Sequence, residues 1–169
     1  MYNPKGNGKD KSVNSVQFTE AEPPDHLRGI VHRYLEIKTD GALPEDYKFH
    51  ALPDACAYII FDQMHKNVSG VTKLRTASEE FNLGKTFHFI NIRFLPGVWQ
   101  GSNEHTVSGM VSSEYAGDLP LIKINTQISK NNFVDSQLVL SRFVETLIAD
   151  KQVVENSVTE RIFQNLDNI

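Results

Sequence analysis

Only one cysteine, Cys56, occurs in 169 residues, so no internal disulfide can form and a reducing compartment is the simpler expectation. No run comes near the roughly 18 to 20 consecutive apolar residues that a membrane-crossing helix needs. The first twenty residues lack the apolar core of a secretory signal. These absences predict a cytoplasmic protein without membrane contact. Positive charge is also scarce: 17 Lys and Arg stand against 21 Asp and Glu, a net charge of -4. Apart from Lys5, Lys9 and Lys11 in a Gly/Asn-rich leader the basic residues are scattered singly, which argues against a phosphate-gripping surface on this chain. The six histidines are dispersed and include no His-x-His pair, so no metal centre and no cofactor are expected. There is no Gly-x-Ser-x-Gly elbow, and Gly6-Asn7-Gly8-Lys9 lacks the preceding strand and trailing Lys-Ser/Thr of a phosphate loop. Cys56 lies in an apolar stretch that suits a structural thiol rather than a nucleophile.

What remains is an ordinary globular mixture, 40% hydrophobic and 22% charged, enough to build one core. The period of the apolar residues divides the chain. Residues 1–20 read as a flexible polar leader, and His26 to Arg33 reads as a short helix or as the run into a strand. Strands are expected over 30–38, 47–52, 55–62, 68–74 and 86–95, with a weaker one over 121–128. Turn-forming groups such as Gly41-Ala42-Leu43-Pro44, Leu52-Pro53-Asp54, His65-Lys66-Asn67, Asn82-Leu83-Gly84 and Leu95-Pro96-Gly97 separate them. After Ser129 the period becomes 3.6. Leu140, Phe143, Val144, Leu147 and Ile148 share one face of a helix over 135–150. A second helix opens at Ser157-Val158-Thr159-Glu160, a capping-box pattern, and carries Val158, Ile162, Leu166 and Ile169 on one side. It is still amphipathic at Ile169, from which we expect the natural polypeptide to continue. The expected class is mainly β with C-terminal helices: an antiparallel barrel or sandwich over 21–130, then a helical hairpin over 131–169.

Two segments carry a family resemblance. Leu52-Pro53-Asp54-Ala55-Cys56-Ala57-Tyr58-Ile59-Ile60-Phe61-Asp62 and, some thirty residues on, Ile92-Arg93-Phe94-Leu95-Pro96-Gly97 resemble the best-marked stretches of the N-terminal domains of one group of AraC-type transcription regulators. The Tyr34-Leu35-Glu36 strand and the helices over 138–169 extend the resemblance, which covers most of 22–169. It implies a cupin-like β-barrel with a helical appendage, acting as an effector-sensing and dimerising regulatory domain. In that family a separate helix-turn-helix half contacts DNA. This chain lacks it, so DNA contact is expected only through that absent half.

Candidate residues follow from the strand faces. In 86–95, Phe87, Phe89, Asn91 and Arg93 form an aromatic row ending in polar groups, opposite a mainly apolar row of His88, Ile90, Ile92 and Phe94. Aromatic walls with a few convergent polar groups suit a small-molecule pocket. Tyr34, Tyr58, His88, Arg93 and Trp99 are therefore candidate ligand-binding residues for an unknown effector. The plainer alternative is a packed core in which Arg93 pairs with Asp54 or Asp62. For the helix face Leu140, Phe143, Val144, Leu147 and Ile148, the expectation is a homodimer seam, with packing on the barrel as the other reading. The rival function is a stand-alone cupin-like enzyme of isomerase or dioxygenase type; the regulatory reading has no catalytic residues.

Overall fold

The computed structural model describes residues 11–13, 15–72, 74–101, 106–107, 111 and 113–167. Its strands are β1 (Lys11–Val13), β2 (Val16–Ala21), β3 (Val31–Thr39), β4 (Tyr47–Ala51), β5 (Tyr58–Asp62), β6 (Ser69–Thr72), β7 (Glu79–Gly84), β8 (His88–Phe94) and β9 (Thr106–Val107). Three helices follow: α1 (Leu121–Ile128), α2 (Phe133–Ala149) and α3 (Ser157–Asp167). A single 3-10 turn, Asp25–Leu27, lies between β2 and β3.

The strands form an open seven-stranded sheet in the order β1-β2-β3-β8-β5-β6-β9 and a separate two-stranded sheet of β4 and β7. All pairings are antiparallel except β6 with β9. The described strands therefore do not close into the barrel expected from the sequence. Each face of the large sheet has its own apolar cluster, which is why β5 and β8 read as apolar on both sides. One cluster joins Tyr34, Ile59, Phe61, Ile90 and Ile92 to Leu121, Ile124 and Ile128 of α1 and to Leu140, Phe143, Val144 and Leu147 of α2. The other joins Val16, Ile37, Ile60, Phe87 and Phe89 to Tyr47, Phe49 and Leu83 of the small sheet. The result is three layers: helices, large sheet, small sheet.

Several boundaries move. The leader assigned to 1–20 overlaps β2, whose Val16 is fully buried and whose register runs Val16 to Ala21 against Thr39 to Tyr34. Glu79–Gly84 is a strand, although its Asn82-Leu83-Gly84 reads as a turn; Gly84 supplies the positive φ of 76° that ends it. Residues 121–128 are helical, not extended. Leu121, Ile124, Asn125 and Ile128 recur at the helical interval and are buried, and the helical part of the chain begins at 121 rather than 131. Asn125 fixes α1 in place: its amide donates to the carbonyls of Asp62 and Lys66, at 3.0 Å each, and accepts from Gln63 at 2.6 Å.

The ends of α2 explain its length. Asn132 caps the start, accepting from the Asp135 backbone N–H at 2.8 Å. At the other end the Lys151 N–H bonds to Ile148 O and the Gln152 N–H to Leu147 O, with Lys151 at φ 56°. This is a Schellman ending with lysine in the left-handed position that glycine usually takes. In α3 the cap is Asn156, whose side chain accepts from Thr159 N–H at 3.3 Å, and not the capping box drawn at Ser157.

Four of the five expected seam residues, Leu140, Phe143, Val144 and Leu147, are no more than 3% exposed and pack on the large sheet of their own chain. Only Ile148 of that set reaches the surface. Leu147→Glu is thus expected to abolish the fold rather than to split a dimer, because an unpaired buried carboxylate costs several kcal/mol against a total stability of about 5–15 kcal/mol. Circular dichroism and light scattering on one sample check this: loss of β signal places Leu147 in the core, and a folded monomer overturns the placement.

Candidate functional site

The polar residues that matter meet at one end of the β3-β8-β5 strip. The register of β3 on β8 slips between Val31 and Arg33: Val31 faces Phe94, Arg33 faces Arg93, and His32 is the extra residue of a β-bulge. A bulge re-aims a side chain. Here it sets the His32 ring against Arg93, with Arg93 Nη1 2.6 Å from His32 Nδ1. Arginine has no acceptor, so Nδ1 must accept, and His32 carries its proton on Nε2.

Arg93 makes three more contacts. Its Nη2 donates to both carboxylate oxygens of Asp54 at 3.1 Å each, and its Nε donates to the Tyr58 hydroxyl at 2.8 Å. Tyr58 in turn donates to Asp54 Oδ2 at 2.6 Å, while the backbone N–H of Cys56 donates to Oδ1 at 2.9 Å. Asp54 itself is held by a two-way backbone bridge with Arg75. Arg33 lies buried beside the group. It donates to the His32 carbonyl at 2.7 Å and reaches Glu22 at 3.6 Å. Phe163 of α3 closes the cluster, edge-on to His32 at 4.9 Å and 5.9 Å from the Arg93 guanidinium.

The ionisation pattern follows from burial and from the two guanidinium groups. Burial, aided by Arg93 and Arg33, lowers the His32 pKa to about 3, so the ring is neutral. Burial works to raise Asp54, but the Arg93 charge and the bonds from Tyr58 and Cys56 outweigh it and hold the carboxylate below its usual value. Tyr58 is pushed up by burial, and its proton stays in the bond to Asp54. Burial also pushes the Cys56 thiol up to about 12, which leaves no thiolate for nucleophilic attack. The cluster is an ion pair buttressed by neutral groups, and it contains no base near neutrality.

The five candidate ligand residues do not share one pocket. Tyr58 and Arg93 are in the cluster. Tyr34 is fully buried, hydrogen-bonded to Ser141 of α2 at 2.8 Å, with a pKa raised to about 12 by that burial. His88 pairs with Glu36 at 2.9 Å further along the sheet. Trp99 packs on Phe94 and forms an isolated bridge with Val153. His32, Arg33 and Phe163 escaped the sequence reading. Two consecutive polar residues, His32-Arg33, interrupting an apolar strand are the signal of the bulge; nothing local points to Phe163.

A small cleft of about 50 Å³ opens beside the cluster, lined by Glu22, Arg28, His32, Arg33 and Phe163 among others. Its volume suits a few waters. Among the described residues no three His, Cys, Asp or Glu side chains converge as metal ligands would. Nor is any described helix long and apolar enough to cross a membrane.

Residues 19–113, more than half of the chain, match the family described as a domain of unknown function (DUF6597). The chain belongs to that family. The match runs from β2 through β9 and so contains His32, Asp54, Tyr58 and Arg93, whereas Phe163 and all three helices lie beyond it. The family description assigns no activity. No curated protein and no solved structure matches the chain.

Two outcomes are expected from this geometry. Arg93→Met strands the Asp54 carboxylate with its ion-pair partner gone, and the loss should be about 3–5 kcal/mol, read from denaturant unfolding. His32 gives a pH signature. The unfolded chain takes up a proton below about pH 6.5 that the folded His32 refuses until about pH 3, so stability falls as pH drops through that window, by up to about 1.4 kcal/mol per pH unit. His32→Gln should flatten this slope between pH 6 and about 4; an unchanged slope would mean that the ring is charged in the fold.

Proposed function

We propose that this chain is the effector-sensing and dimerising domain of an AraC-type regulator, with a cupin-like ancestry in which the barrel has opened. The observation that carries the reading is the position of α3. One face of that helix puts Phe163 on His32 and Arg93 of the sheet. The adjoining side carries Val158, Ile162 and Leu166, exposed by 67%, 52% and 48%. A single helix thus touches the polar cluster inside and presents an apolar stripe outside, which is the coupling a sensor needs.

In this reading the dimer seam belongs to α3 rather than α2. Val158, Ile162 and Leu166 recur every four residues, and two such stripes crossing antiparallel about Ile162 use the same residues twice. The two-fold mate is the partner, an effector biases the set of α3, and any contact with DNA belongs to a helix-turn-helix half outside these residues. The acidic balance of the chain and its buried, internally hydrogen-bonded arginines agree with that division of labour. The enzyme alternative gains no support from a cluster whose histidine is neutral and whose thiol is protonated.

Analytical ultracentrifugation tests the seam. The wild-type protein should dimerise at micromolar concentration. Ile162→Glu, at an exposed position, should leave the circular dichroism spectrum intact while raising the dimer dissociation constant about a hundredfold, the equivalent of about 2.7 kcal/mol. A wild-type protein that is monomeric at high micromolar concentration would sink the proposal.

A further inference from the structure

A second cleft lies away from the Arg93 cluster, where α2 turns into the segment leading to α3. It has a volume of about 360 Å³, within the roughly 300–1,000 Å³ of small-molecule sites. Its apolar walls are Ile30, Ile148, Val153 and Val154. Ile148 and Val154 remain 39% and 50% exposed, so folding leaves this apolar surface uncovered.

Two charges of opposite sign border it, Lys151 and Glu155. Neither has an ion-pair partner among the described residues, and they do not pair with each other. Lys151 is held at some expense and Glu155 rests on a glycine. Lys151 occupies the left-handed turn at φ 56°, where glycine fits without strain. Glu155 packs over Gly29, where an added Cβ would sit 2.5 Å from its carboxylate oxygen. A strained lysine and a carboxylate seated on a glycine, flanking an uncovered apolar surface, call for a ligand with an apolar body and both charges.

We infer that this cleft binds an apolar zwitterion of the size of a large hydrophobic amino acid. The α-carboxylate meets Lys151. The α-ammonium meets Glu155. The side chain covers Ile148 and Val154. The site deepens the regulatory reading, and rests on it only for the consequence of binding. Residues 151–155 lead into α3 and are tied to the segment after β8 by Val154 N–H to Val98 O at 2.9 Å and by the Trp99–Val153 bridge.

That bridge makes Trp99, the only tryptophan, a reporter for the cleft. Phenylalanine, phenylalanine amide and 3-phenylpropionate, which lack neither charge, the carboxylate and the ammonium respectively, are titrated against the full chain and followed by Trp99 fluorescence and calorimetry. Phenylalanine should bind at least about tenfold tighter than either singly charged analogue, and Lys151→Met and Glu155→Gln should each lose about tenfold. Lys151→Gly should lose binding equally without lowering the melting temperature, since glycine relieves the turn; this separates a ligand contact from a structural role. Equal binding of the three compounds, binding of none, or unaffected variants would overturn the site. Phenylalanine binding with no change in sedimentation would leave the site standing and remove the regulatory reading alone.

Discussion

Everything at the working end of this molecule is arranged around a guanidinium that folding takes out of water. Arg93 faces Arg33 across the β3-β8 ladder, and like charges directly opposite destabilise a sheet unless something answers them. Asp54 answers Arg93 through both carboxylate oxygens, and Glu22 lies within reach of Arg33. The remaining donors and acceptors are filled by groups that carry no charge: a phenol, an imidazole and a backbone amide. Removing any one of them leaves a buried polar group without its partner, which is costlier than never having made the bond.

That dependence explains the neutral histidine. An imidazole beside two guanidinium groups cannot accept a proton without adding a third positive charge to a buried site. The bulge at His32 is what puts it there; without the extra residue the ring would follow the alternation of the strand. Phe163 then seals the group from the side that α3 occupies, so the last described helix and the ion pair share a surface.

How much of this was legible in the sequence depends on the range of the interaction. The apolar rows of β3, β5 and β8 and the 3.6-residue rhythm of α2 are local patterns, and they place those elements to within a few residues. The carboxylate partner of Arg93 could be narrowed to Asp54 or Asp62, which flank one marked apolar strand, but not chosen between them. Residues 121–128 misled because Ile-Lys-Ile-Asn alternates for four residues before the longer period declares itself. The α2 face misled in another way: an apolar stripe states that something covers it, not whether the cover is the same chain. Phe163 and the cleft at residues 148–155 belong to contacts between distant segments, which no window of sequence contains.

The small sheet has a kinetic consequence. β4 and β7 bracket β5 and β6 in the chain, so they can meet only across a loop of nearly thirty residues that contains other paired strands. Closing such a loop is entropically late, whereas β5 and β6 are neighbours joined by a short turn. The Asp54–Arg75 bridge lies just beyond the β4-β7 ladder, where Asp54 receives its backbone anchor. Arg93 on β8 reaches β5 across a loop of similar length, so neither partner of the ion pair is placed by local pairing alone. Asp54 and Arg93 thus meet only when two long-range pairings, β4 with β7 and β5 with β8, have both formed, so the ion pair ties the two sheets into one cooperative unit.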